Sequence, residues 1–506
     1  MARPPEAASS RWTVRVREAY ALARFSEASA IFDEHAPAAR EIPVELVLTR
    51  ARIALARDAS TAVDLLLAQR GRFASDVERF ASELLLGAAF AQLREYETAD
   101  AHFDRARQQL DPRSLAQAAQ LAAARGRRYI AESRIGDAWR CYETSLVDRR
   151  IDGRIVSEGL KAEIHRAESR YGEHAASLMR LLTMLGENLD AHVALWYRTI
   201  GELGILASEL PAPAAAATVA DAVASRPVWS PDFASDHFNA LRSLAWCKAL
   251  AGDSLGSFRY LRDAGSLAES LGSAALRAIV MLDRAQLARN AGEEHWCANE
   301  LAAAIDLLHG VDWPRTSERQ RAALLLLAEV LAPTDPASAA AAIARHSTLV
   351  ESRDPIATAA RGVVHVAGGR VREGVRDLSA AYESFSQAGC EWRAGKAALA
   401  LAQATGRERW RLLALENLEF YDRSWLYAQA REIAEQAVAS EDMSLTPTQE
   451  RVFNMICEGL STDAIAARLG RSRSTVRNHL KLIFKALGVR SRAALVAKAA
   501  RTGRFT

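Results

Sequence analysis

Between Phe80 and Pro112 the chain places Leu86-Gly87, Phe90, Tyr96, Ala99, Phe103 and Ala106 at intervals that suit two helices crossing at close range. Gly87 and Ala99 leave room at the crossing, and Phe90 and Phe103 fill the space around it. The same frame, slid along the chain, puts small residues at Ala28, Ala62, Ala99, Ala138, Ala175, Ala215, Ser257, Cys297, Ala339 and Gly374, with neighbours 34 to 42 residues apart. Apolar partners follow four residues later at Phe32, Leu66, Phe103, Tyr142, Met179, Leu261, Leu301, Ile343 and Leu378. An eleventh unit centres on Arg411, where the small residue is lost. One alanine match means little in an Ala-rich chain. The sustained spacing means more, because a helical hairpin cannot bury its apolar face alone and must stack on neighbours. With 506 residues the chain is also too long for one ordinary core. An all-α solenoid is expected.

The body resembles tetratricopeptide-like domains, whose signature the Phe80–Pro112 unit follows at almost every position, with the terminal proline one residue late. Turns such as Arg94-Glu95-Tyr96, Ala251-Gly252-Asp253, Ala291-Gly292-Glu293 and Gly368-Gly369-Arg370 separate the two helices of a repeat. The stretch Arg226–Asp232, with Pro227, Trp229 and Pro231, is expected to break or kink the array. The organisation expected is a disordered N-terminus over 1–9, a solenoid of about eleven helix pairs over 10–439, a linker over 440–444, and a separate domain over 445–506.

That last segment is chemically unlike the rest. From Ser444 to Thr506 there are 12 Lys+Arg against 3 Asp+Glu, a net +9, whereas residues 1–443 sum to −6. An acidic body with a compact basic tip is the charge footprint of a nucleic-acid binder. The tip also carries helix signals. Thr446 and Pro447 open one helix, with Val452, Met455 and Ile456 on its apolar face and Gly459 at its end. Ser461 caps a second, with Ile465, Ala466 and Leu469 facing inward. Gly470-Arg471 makes a tight turn, and Ser472 caps a third helix running to Leu487. On it Val476, Leu480, Ile483 and Leu487 form a buried stripe, while Arg473, Arg477, Lys481 and Lys485 recur at i+4 on another side, beside Ser474 and Asn478. Arg and Lys pair with guanine or phosphate, and Asn pairs bidentately with adenine.

The tip resembles the LuxR/FixJ-type DNA-binding domain. The matching pieces are Leu445-Thr446-Pro447, Glu458-Gly459-Leu460-Ser461, Ile465-Ala466 with Leu469, Thr475-Val476 with His479, and Leu487-Gly488-Val489. The resemblance implies a four-helix helix-turn-helix domain in which Arg477, Asn478 and Lys481 take the main groove contacts. It implies that Thr475 and the helix start (Ser472, Arg473, Ser474) hold phosphate, with Lys485 continuing the cationic row. It also implies that the final helix, Arg492–Ala500, pairs subunits through Arg492, Leu495, Val496 and Ala499, unless those residues close the domain's own core. Two departures stand out. Gln449 replaces the family's usual Glu, putting an intradomain polar contact in doubt, and Arg471 occupies a position usually apolar, so the turn packs differently or lends another phosphate contact. His479 is read as a packing residue rather than a base reader.

Other chemistry finds little support. No stretch approaches the roughly 18 apolar residues of a membrane helix, and no signal-peptide core opens the chain. The five Cys (141, 247, 297, 390 and 457) are isolated and suit reduced thiols in a cytoplasmic protein. The eleven His are scattered without metal-ligand spacing, so neither a metal nor another cofactor is expected. Gly389–Ala397 (GCEWRAGKA) has the wrong glycine spacing for a P-loop and Ala397 where Ser or Thr belongs, so it reads as solenoid. No nucleophile–base constellation suggests an enzyme. The expectation is a cytoplasmic bacterial transcription regulator that binds double-stranded DNA as a homodimer, its body sensing a small molecule, peptide or protein. The alternative is an interaction scaffold that the tip merely localises to DNA.

Overall fold

In a computed structural model, the structure describes residues 6–35, 42–225, 229–309, 318–345, 354–438, 445–487, 489 and 491–501. Among them every regular element is helical. The first unit of the chain contains the hairpins α1 (Glu6–Ala21) with α2 (Phe25–His35), α3 (Val44–Leu55) with α4 (Ala59–Ala68), and α5 (Asp76–Gln92) with α6 (Tyr96–Gln108). They are followed by α7 (Leu115–Ala131) with α8 (Ile135–Ser145), α9 (Ile151–Ala167) with α10 (Tyr171–Glu187), and α11 (Leu189–Glu209) with α12 (Pro213–Ser225). Next come α13 (Ala234–Leu250) with α14 (Ser254–Ser270), α15 (Ala274–Asn290) with α16 (Glu294–His309), and α17 (Glu318–Leu331) with α18 (Pro336–Ala344). The body closes with α19 (Pro355–Ala367) with α20 (Val371–Gln387), α21 (Glu391–Thr405) with α22 (Glu408–Leu418), and a single α23 (Trp425–Val438). The basic tip holds α24 (Pro447–Cys457), α25 (Thr462–Leu469), α26 (Arg473–Ala486) and α27 (Arg492–Arg501).

Local sequence starts and stops these helices. Ser75 and Glu78 form a capping box on α5, the Ser75 hydroxyl accepting from the Glu78 amide at 3.2 Å and Glu78 accepting from the Ser75 amide at 2.9 Å. In seven of the hairpins the first helix ends in one left-handed residue, which is Gly252, Gly292 or Gly369 in later repeats but Ala23, Arg94, Ser133 or Ser169 in earlier ones. At each, the next amide reaches back to close the helix end, as from Asp253 to the Lys248 carbonyl at 2.8 Å and from Glu95 to that of Phe90 at 2.9 Å. The ten small residues of the repeat frame all lie buried, each on the second helix of its pair. At the α5–α6 crossing a Cβ on Gly87 would stand 2.5 Å from the Phe103 ring, so the backbones meet at a distance only glycine allows.

The chain divides into two compact units, residues 1–208 with 212–244, and residues 209–211 with 245–506. The expected break at Arg226–Asp232 is corrected in part. Residues 226–228 lie outside the described residues, but Trp229–Phe233 is a tie within the first unit, and the boundary between units passes instead through α13. Ser230 donates to the Ala23 carbonyl at 2.8 Å, Asp232 accepts from the Ser26 amide at 2.9 Å and also pairs with Arg57, and the Phe233 and Phe25 rings meet at 5.7 Å. Buried polar groups with partners hold this segment down where composition alone suggested a loose joint. A second correction concerns the N-terminus. Residues 6–9, expected to be disordered, form the start of α1, since nothing from Glu6 onward breaks a helix; residues 1–5 and the linker 440–444 lie outside the described residues.

The GCEWRAGKA stretch is solenoid. Gly389 makes a left-handed turn (φ +73°), Cys390 precedes the helix, and the rest is α21, where Lys396 pairs with Glu329 at 2.6 Å and Arg393 with Glu209. Among the described residues no helix is long and apolar enough to cross a membrane.

Candidate nucleic-acid interface

The tip has its own core. Leu445, Val452, Phe453, Ile456, Ile465, Ala466, Val476, Ile483, Leu487, Leu495 and Ala499 form one buried cluster. Each helix is started by its own side chain. Thr446 and Gln449 make a reciprocal capping box, with the Gln449 carbonyl accepting from the Thr446 amide at 3.0 Å and the Thr446 hydroxyl from the Gln449 amide at 3.3 Å. The contact that Gln449 put in doubt is therefore made, because an amide oxygen accepts this bond as a carboxylate would. The Ser461 hydroxyl caps α25 at the Ala464 amide (3.2 Å), Gly470 turns left-handed, and the Ser472 hydroxyl accepts from the Thr475 amide at 3.0 Å to open α26.

Helix α26 shows three different stripes. Val476 and Ile483 point into the core, and Thr475 and His479 are buried beside it. His479 is 5 % exposed; burial, aided by the positive field of Arg471, pushes its imidazole down to about 4, so it is neutral and packed near pH 7. The second stripe, Arg473, Arg477, Lys481 and Lys485, is exposed, with Ser472 and Ser474 at its start. Arg473 meets Asp463 at 2.7 Å, a pair exposed on both sides and so worth little. Helix start, cap and cationic row together form a surface suited to a phosphate backbone.

The third stripe, Asn478 and Leu482, faces the body, as does Arg471 in the turn before the helix. Arg471 pairs with Glu416 of α22 at 2.8 Å, and Glu416 is only 8 % exposed. Asn478, expected to read bases, is half-buried and near enough to Tyr427 of α23 to influence its hydroxyl. Leu482 packs against the apolar cluster containing Leu418, Tyr421 and Leu426. Tyr427, Glu416 and Leu482 were not among the expected site residues. Leu482 offered a signal: it is an apolar side chain on α26 that belongs to neither the core stripe nor the cationic one.

The expected pairing patch on α27 is corrected for two of its four residues. Leu495 is fully buried and Ala499 is 2 % exposed, both within the tip's own core, with Val496 packed against that core and the Arg492 guanidinium donating to the Leu460 carbonyl. A short amphipathic helix closing a four-helix domain needs its apolar residues for that purpose, which leaves Leu495 and Ala499 unavailable to a second copy, while Arg492 and Val496 are half-buried.

The family described as bacterial regulatory proteins, luxR family, matches residues 443–499. The tip is a LuxR-family helix-turn-helix domain. HTH-type transcriptional regulators of Mycobacterium bovis and Mycobacterium tuberculosis are 38 % identical to the chain over 97 residues, covering 17 % of the chain and 11 % of each relative. The match thus spans about a tenth of the length of these curated relatives. Two solved assemblies are similar over most of the chain. One is the APC/C hetero-tetramer Cut9-Hcn1 (13 % identity, TM-score 0.31, 97 % of this chain and 96 % of that one). The other is Naa15/Naa10 bound to HypK-THB (11 % identity, TM-score 0.24, 98 % and 96 %). Superposition that poor says nothing further about the body, whose description rests on its own helical hairpins.

Proposed function

We propose that the chain is a sequence-specific DNA-binding transcriptional regulator, with the LuxR-family tip as reader and the helical body as the part that senses a ligand or docks a partner. The observation that carries the reading is the exposed row Arg473, Arg477, Lys481 and Lys485 on a helix whose opposite face is fixed in a core. Arg473 and Lys485 at the ends of that row suit a phosphate backbone, while Arg477 and Lys481 within it and Asn478 beside it suit base edges. One such domain touches few base pairs, so a homodimer bridging two half-sites about one helical turn apart supplies the rest of the affinity. The role is binding rather than catalysis, and a cytoplasmic location suits it. The test is the salt dependence of duplex binding by the full chain. Several neutralised phosphates predict affinity falling steeply and log-linearly with salt. Binding that does not respond to salt, or none at any salt, overturns the reading.

A further inference from the structure

In the repeat frame, the two positions before the small residue fall near the start of the second helix, where most units carry short or polar side chains. Two positions before it stand residues such as Ser60, Glu97, Gly136 and Arg372, and Leu255 is the one large hydrophobic side chain among the ten units. One position before it stand Thr61, Asp137 and Glu373, and Trp296 is the one large hydrophobic side chain there. Leu255 is 82 % exposed, more than any other large hydrophobic residue described, and Trp296 is 37 % exposed. The two exceptions lie in successive repeats and are joined by Phe258, one helical turn after Leu255, whose ring stands 4.6 Å from that of Trp296. A lone exposed leucine is ordinary, whereas a contiguous apolar patch in place of polar side chains marks a surface that meets a partner.

The charges around the patch say which partner fits. Arg259 and Arg262 continue the Leu255 stripe of α14 at i+4 and i+7, and both are exposed. Glu293 and Glu294 stand just before Trp296 at the start of α16, and both are exposed. Arg262 meets Asp263 at 2.9 Å, but that pair is open to solvent on both sides and holds weakly. Helices α14 and α16 run in the same sense, because α15 returns between them. A two-fold axis through the Phe258–Trp296 pair, normal to the surface, lays α14 of one copy end for end on α16 of the other. The arginines that follow the rings on α14 then meet the glutamates that precede them on α16, at both ends of a shared apolar centre. The patch is its own complement, as an isologous contact requires.

We propose that α14 and α16 form a homodimer surface, centred on Leu255, Phe258 and Trp296 and framed by Arg259 and Arg262 against Glu293 and Glu294 of the second copy. This rests on the DNA-binding reading above, which calls for two tips, and on the commitment of Leu495 and Ala499 to the tip's own core. Three apolar side chains from each copy make a small centre, so the dimer is weak and concentration-dependent. The test is sedimentation equilibrium of the full chain without DNA, in which the average mass should rise with concentration towards that of two chains. Leu255→Asp, at a site too exposed to carry the fold, puts a charge in the apolar centre and should raise the dissociation constant about tenfold or more. Arg259→Glu with Arg262→Glu, or Glu293→Arg with Glu294→Arg, sets like charges face to face and should also weaken association, while all four changes together should restore it. Unchanged circular dichroism shows that each variant keeps its fold. A chain that stays monomeric at every concentration gives the patch to a different partner and overturns the homodimer. Association that Leu255→Asp leaves unchanged, or that the fourfold reversal fails to restore, overturns it equally. No DNA is present, so each of these failures leaves duplex binding, judged by its own salt dependence, standing.

Discussion

Replacing Gly87 by Ala sets two opposed effects against each other at the α5–α6 crossing. In an open helix the change gains about 1 kcal/mol, because alanine is the better helix former. Here the new methyl would stand 2.5, 2.6 and 3.0 Å from three carbons of the Phe103 ring. Carbon atoms settle about 3.5–4.0 Å apart, so the overlap is about 1 Å. Phe103 cannot swing clear, because its side chain is fully buried in a cluster with Phe80, Ala91, Ala99, Ala106 and Leu121. Overpacking of this kind costs about 1–3 kcal/mol, and contact with three ring atoms points to the upper part of that range. The net loss expected is about 1–2 kcal/mol. Native-state hydrogen exchange on α5 and α6 is the suitable assay, since repeats contact chiefly their neighbours and a single global transition would blur the effect. Protection there should fall about 5- to 30-fold, while that of the tip stays unchanged. Gly136 of α8 is the matched control, with nothing within 4 Å of its added Cβ, and Gly136→Ala should raise protection instead. A Gly87→Ala chain with protection raised like the control would refute the close crossing.

Two other predictions concern the tip. His479 has a folded-state value near 4 against an ordinary 6.5, so the folded tip binds fewer protons than the unfolded one. Stability is therefore unaffected above about pH 6.5 and is lost as pH falls from there towards about 4, by up to about 3 kcal/mol; urea midpoints for the tip should show this and His479→Gln should lack it. Leu495→Asp places a charge in the tip's core and should cost about 4 kcal/mol or more, so circular dichroism should find the tip unfolded and DNA binding lost on single and paired half-sites alike. A folded Leu495→Asp tip that loses only paired half-site binding would restore α27 as a pairing surface.

What the sequence made legible was local or periodic. A helix crossing needs a small side chain wherever it occurs, so spacing alone located Ala28 through Gly374, all of them buried. Caps work within one turn, and Thr446, Ser461 and Ser472 could be read without knowledge of the rest of the chain. Glycine marks several of the left-handed turns and the repeat frame marks Arg94, but Ala23, Ser133 and Ser169 adopt the same conformation without either sign. Contacts between distant segments left no such trace. Asp232 meets Ser26 across 206 residues, and its side chain looked like one more polar residue in a proline-rich loop. Arg471 was visible as a departure from the family, but its partner Glu416 lies in a repeat whose sequence carries no sign of the tip. The pairing role for Leu495 and Ala499 was carried over from the family, and burial in this chain's own core decided against it.

The central claim is that α26 reads duplex DNA with a division of labour. The direct measurement is a comparison of base preference and salt dependence for four single alanine variants of the full chain, at Arg477, Asn478, Arg473 and Lys485. Arg477→Ala and Asn478→Ala should relax preference at particular positions, by about 1–3 kcal/mol for each base-reading side chain removed. Arg473→Ala and Lys485→Ala should weaken every sequence equally and reduce the salt slope by about one. Four variants with indistinguishable preferences and slopes would contradict the account.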